Sequence, residues 1–216
     1  MKKILTIFLL FLCLCTKAQP VLKGGMENFI NEHIIYPAYS YQNCVQGTIR
    51  ISFKLNKLGE VYSSNVSSGP GIDLDQEALR LIRLSSGKWE VPEGYDTTYV
   101  IVAPVNFRLA SEDCNRVSQQ DMNRAIAVYK ANQGLTDAIT NFYRNKAQGK
   151  YNEAEEKKVI ALKTELGYDD EYLNKKIEEG QKKLKQKDRQ GACEDFLFVK
   201  YMGSALADDL LEKYCK

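Results

Sequence analysis

Thr48-Ile49-Arg50-Ile51-Ser52-Phe53-Lys54-Leu55 is the stretch that decides the fold of this chain. Ile49, Ile51, Phe53 and Leu55 fall on one face and Thr48, Arg50, Ser52 and Lys54 on the other, the period of two that marks a half-buried strand. Asn56-Lys57-Leu58-Gly59 follows, a turn with a glycine available for positive φ, and Glu60 to Val66 can return as the antiparallel partner. A hairpin is therefore expected, with one apolar face that needs a cover.

The flanking residues supply that cover. Met26, Phe29, Ile30, His33 and Ile34 share one stripe of a helix, which Tyr36-Pro37 ends. After the hairpin, Ser67-Ser68-Gly69-Pro70-Gly71 breaks regular structure. Asp73 is expected to cap a second helix, with Gln76 three residues on completing a capping box and Leu74, Ala78, Leu81 and Ile82 on its apolar face. Trp89 comes next, and then a third β run over 97–109, with Val100 and Val102 on one side and Ile101, Ala103, Val105 and Phe107 on the other. Pro104 has no backbone donor, which predicts an edge position or a bulge. The order helix, hairpin, helix, strand makes the first part of the chain α+β with a small antiparallel sheet.

Composition changes near residue 110. Residues 19–110 contain 8 basic and 9 acidic side chains in 92 positions, whereas residues 111–216 contain 19 of each in 106. The expected units are 1–18, 19–110 and 111–216, the last an all-α helical hairpin region. Gly149-Lys150-Tyr151-Asn152-Glu153-Ala154 with Ala161, and then Gly180, Ala192 and Phe196, read as two loose helical units in which small residues let paired helices approach. Their spacing resembles a degenerate tetratricopeptide pattern, and a plain helical bundle fits the same residues. Leu206, Leu210, Leu211 and Tyr214 predict a terminal helix over 204–214.

At the N-terminus, Lys2 and Lys3 precede a 12-residue apolar stretch from Ile4 to Cys15, and Thr16-Lys17-Ala18 places small residues where a signal peptidase reads. Export with cleavage after Ala18 is expected, because a membrane-spanning helix needs about 20 apolar residues. An uncleaved inner-membrane anchor is the alternative. Cys13 and Cys15 each follow Leu, which does not suit lipid attachment. Loss of Lys2, Lys3 and Lys17 leaves 27 basic against 28 acidic residues, a formal charge of −1. Neither nucleic acid nor an anionic bilayer is an expected partner, because both require a concentrated positive field. Four cysteines follow residue 18, and an oxidising compartment favours disulfides among the three pairings they allow. Cys44–Cys114 with Cys193–Cys215 is preferred, since each pair then staples one unit.

No catalytic constellation is legible. His33 lies on an apolar helical stripe with no nucleophile nearby, so a packing or capping role is favoured. Asp73 and Asp75 together suggest a cation loop, but capping explains Asp73 better. Ser67 to Gly71 lacks the lysine of a phosphate loop. Glu155-Glu156-Lys157-Lys158 and Lys182-Lys183-Leu184-Lys185 read as solvated helix faces. No cofactor, metal or small-molecule substrate is expected, and oligomeric state is left open.

Gly24-Gly25, Tyr36-Pro37, Gln46-Gly47 with the strand to Phe53, Leu58-Gly59, Asp75 with Glu77-Ala78, Trp89 and Pro104-Val105-Asn106-Phe107 occur in an order that resembles the TonB C-terminal domain family. The resemblance covers residues 24–109. It implies a non-enzymatic periplasmic module that binds an extended peptide of an outer-membrane transporter or another envelope partner by adding it as a strand. The edge implied is Tyr99, Val100, Ile101, Val102, Ala103, Pro104, Val105, Asn106 and Phe107. Members that energise transport carry a membrane anchor and a Pro-rich linker; this chain has 5 prolines in all. A soluble relative that binds is therefore expected. An anchored energy transducer is the alternative within the same class, and a wall-associated enzyme on a borrowed fold the alternative outside it.

Overall fold

The computed structural model describes residues 19–215, so the expected export segment 1–18 lies outside the described residues. Two hydrophobic cores organise the chain, one beneath a small sheet and one among C-terminal helices.

The sheet is built around β2 (Gly47–Leu55), flanked by β3 (Val61–Ser68) and β5 (Ile101–Phe107), both antiparallel to it. Ile49, Ile51, Phe53 and Leu55 are fully buried, as their alternation requires. Helices α1 (Met26–His33), the short α2 (Ala38–Gln42) and α3 (Asp73–Leu84) belong to the same module. Phe29 and Ile30 of α1, and Leu74, Ala78, Leu81 and Ile82 of α3, close the core under the strands. A separate two-residue ladder pairs β1 (Val21–Leu22) with β4 (Trp89–Glu90), which ties the start of the described chain beside Trp89. The other face of the three-stranded sheet carries Thr48, Arg50, Val102, Pro104 and Asn106, all exposed to water.

Several details differ from the sequence reading. Asp73 does not cap α3. Ile72 holds the N-cap position, and the Asp73 carboxylate instead accepts from the backbone N–H and the hydroxyl of Ser40 in α2. A carboxylate in the first helical turn is already favoured by the helix dipole, so it is free to serve a tertiary contact. The third β run is shorter than its alternation suggests, because Asp96 gathers the N–H and hydroxyl of Thr98 into a turn and delays the strand to Ile101.

Gly59 sits in the hairpin turn at φ 74°, and a Cβ built there would lie 2.2 Å from the carbonyl oxygen of Trp89. Both the backbone conformation and a rigid neighbour oppose a side chain. Gly59→Ala is expected to cost at least about 2 kcal/mol, read as a lowered midpoint in urea.

The C-terminal half comprises α4 (Gln119–Lys146), α5 (Glu153–Glu165), α6 (Asp170–Lys185), α7 (Arg189–Tyr201) and α8 (Asp208–Tyr214), after a single 3-10 turn at Cys114–Arg116. Gly180 lets α6 approach α7 closely: a Cβ there would lie 2.5 Å from the Phe196 ring. Ala192 and Phe196 are fully buried, so the second small-residue unit is a true helix-pair contact. The first is not, since Ala154 and Ala161 of α5 face solvent. Ala125, Ile126 and Tyr129 of α4 pack on the sheet core, and Ile139 enters the helical core. One long helix thus bridges both cores.

Among the described residues two disulfides complete the framework, Cys44–Cys114 and Cys193–Cys215. The second closes a loop of 22 residues and pins the end of α8 to the second turn of α7. Replacing both its cysteines with serine is expected to remove about 3 kcal/mol, through the loop entropy restored to the unfolded chain. Chemical denaturation followed by far-UV circular dichroism measures it.

Candidate functional site: an open sheet edge

A three-stranded sheet has two edges, and here β3 and β5 are treated differently. Ser64, in the middle of β3, donates its N–H to Oε1 of Gln190 on α7 (2.9 Å) and accepts at its C=O from Gln190 Nε2 (2.9 Å). Its peptide groups therefore point away from β2.

Bonding direction alternates residue by residue along an antiparallel strand. Since Ser64 points outward, Ser63 and Asn65 bond inward to their partners Lys54 and Ser52. Even-numbered residues of β2 thus serve β3, and the odd-numbered Ile49, Ile51 and Phe53 serve β5. Their partners Val105, Ala103 and Ile101 bond inward, in a register that runs without a shift from Gly47↔Phe107 to Phe53↔Ile101. Val102, Pro104 and Asn106 consequently turn their backbone groups to the open side. Among the described residues nothing bonds to them there.

The nine residues expected at the edge now separate by role. Ala103, Val105 and Phe107 are core, and Ile101 packs on it partly buried. Val102 is 54% exposed, and Pro104 and Asn106 are also exposed. Tyr99 and Val100 precede the strand in an exposed segment. Pro104 occupies an outward-facing position, so its missing N–H costs the sheet nothing. That placement explains a proline within an unbroken ladder.

Rigid supports hold the edge at both ends. Tyr36 stacks edge-on against Phe107 (5.7 Å between ring centroids), and its hydroxyl donates to the Val45 carbonyl. Burial, with Asp73 close by, pushes the Tyr36 phenol up to about 12. Gln46 accepts from the Leu109 N–H (2.9 Å), and Thr48 donates to Asn106 across the outer face (2.6 Å). At the other end, Tyr62 reaches from β3 to the Thr97 carbonyl (2.6 Å). Beside Tyr99 lies a recess of about 420 Å³ lined by Pro20, Pro92, Tyr95 and Asp96 among others.

The remaining candidates are structural. His33 closes α1, with Nδ1 2.8 Å from the Phe29 carbonyl and its ring stacked on that of Phe29. Trp89 is 8% exposed, tilted against Phe53, and donates its indole N–H to Ser85 (2.8 Å). Asp75 accepts from the Gly71 N–H, and burial raises its carboxyl above the usual range. Among the described residues no three His, Cys, Asp or Glu side chains gather as a metal site, and no helix is long and apolar enough to cross a membrane. Sequence reasoning missed Arg83, Gln190 and Glu194, which cover the β3 edge; no local pattern marks them.

Residues 32–109 match the family described as the Gram-negative bacterial TonB protein C-terminal. That match suggests a periplasmic protein-interaction module of the TonB type. No curated protein and no solved structure matches the chain.

Proposed function

We propose, with the family match over residues 32–109 as premise, that this is a non-enzymatic periplasmic module. It binds an extended peptide of an outer-membrane transporter or another envelope protein by adding it as a strand to β5. In this reading residues 19–110 form the binding unit and residues 111–216 a helical unit that covers the opposite edge.

The observation that carries the reading is the unpaired outer rim of β5. The N–H and C=O of Val102 and Asn106, with the C=O of Pro104, offer a visiting strand a ladder on the side facing water. Strand addition draws on these main-chain groups and needs few special side chains. The absence of an N–H at Pro104 leaves the partner one unpaired carbonyl, so pairing is weaker at the centre than at the two flanking positions.

The test is calorimetric titration of the full chain with a synthetic peptide copying a short extended periplasmic segment of an outer-membrane transporter. Saturable 1:1 binding, with backbone amide perturbations centred on Val102 to Asn106, is expected. Binding that leaves those amides unperturbed contradicts the proposal.

A further inference from the structure

The β3 edge is chemically the more dangerous of the two. β5 carries Pro104 at an outward position, which removes one donor from its open rim and weakens pairing at the centre. Val61-Tyr62-Ser63-Ser64-Asn65-Val66-Ser67-Ser68 has neither proline nor any charged residue. Its protection comes from outside the strand.

We propose that α7 is an intramolecular edge guard: the Gln190 carboxamide occupies β3 as a one-residue mimic of a strand, and without it the same edge pairs with that of a second copy of this chain. The primary amide of Gln190 turns one of its two N–H donors and its C=O to the strand, as a peptide group would, and it meets both backbone groups of Ser64 at ladder distances. Gln190 Oε1 also accepts from the Ser64 hydroxyl (3.1 Å).

The guard is held in place by a buried cation. Arg83 of α3, 5% exposed, donates Nε to Ser64 Oγ (2.9 Å) and grips both carboxylate oxygens of Glu194, one turn beyond Gln190, at 2.8 Å each. Glu194 in turn accepts from Gln190 Nε2 (3.2 Å). Asp188, 3.8 Å from Arg83, caps the start of α7 by accepting from the Gly191 N–H. Helix, side-chain amide and strand are therefore one bonded unit.

A second copy is the occupant that the strand itself favours. Two β3 strands meeting antiparallel about a two-fold axis would set only uncharged residues opposite each other, with no like-charge repulsion to oppose them. The inference does not depend on what β5 binds.

The experiment compares the full-length wild type with Gln190→Ala by sedimentation velocity and amide exchange. At concentrations where the wild type sediments as a monomer, Gln190→Ala is expected to form a dimer. When diluted to monomer, its Ser64 amide should exchange at least about tenfold faster, the loss of one good hydrogen bond. Adding Ser64→Pro should restore the monomer, whereas adding Val102→Pro should not, which separates this edge from β5. Gln190→Met, of similar length but with neither the amide N–H nor the amide C=O, should show the same trend if Gln190→Ala folds poorly. Folded variants that stay monomeric, an unchanged Ser64 exchange rate, or a dimer abolished by Val102→Pro would each overturn the proposal.

Discussion

Val102→Pro is expected to weaken peptide binding by about tenfold or more while leaving the fold intact. The outward N–H of Val102 is lost and a pyrrolidine ring intrudes where the partner strand would run. A net hydrogen bond is worth roughly 0.5–1.5 kcal/mol, and the steric term adds to it. The inward ladder of β5 uses Ile101, Ala103 and Val105, so the sheet itself loses nothing. Pro104 already shows that the strand accepts a proline at this parity. A shift in Tm of less than about 3 °C is anticipated. Ala103→Pro, one position along, removes an inward donor to β2 and displaces a core residue; it should unfold the sheet. Val102→Ala keeps the N–H and should bind normally. Binding unaffected by Val102→Pro would mean that the ligand does not pair with this edge.

Trp89→Ala is expected to cost about 3–5 kcal/mol, a large share of the roughly 5–15 kcal/mol that holds a typical domain together. The indole fills the space between α3 and the sheet, contacts Phe53 at 5.2 Å and spends its N–H on Ser85. Its backbone also pairs with Leu22 and lies against Gly59. Thermal unfolding should drop by roughly 6–20 °C. Trp89→Phe keeps most of the packing and gives up one hydrogen bond, so a smaller loss of about 1–2 kcal/mol is anticipated. A Trp89→Ala protein with unchanged Tm and lost peptide binding would instead place Trp89 in the ligand interface.

Local period carried most of the fold. The alternation of Ile49 to Leu55 is a property of neighbouring residues, and it predicts both β2 and the buried face that α1 and α3 must cover. The same rule sorted Ile101 to Phe107 into inward and outward sets, and Pro104 marked the strand as an edge. Asp73 was misread because a capping pattern describes only what a carboxylate can do locally; Ser40, 33 residues away, was the better partner. The two small-residue units looked alike in spacing, yet only Gly180, Ala192 and Phe196 meet a facing helix. The closure of the β3 edge was beyond reach of any local pattern. Gln190 and Ser64 are 126 residues apart, and glutamine at the start of a polar helix is ordinarily a solvated residue. The β3 edge is covered by long-range contacts of this kind, from Gln190, Glu194 and Arg83.

Amide exchange at Val102 and Asn106, followed in the free chain and after addition of the transporter-derived peptide, tests the strand-addition account most directly. The account predicts fast exchange at both in the free protein, slow exchange at Ala103 and Val105 throughout, and slowing at Val102 and Asn106 when the peptide binds. Protection of Val102 and Asn106 before any peptide is added, or peptide binding that leaves them fast, would contradict it.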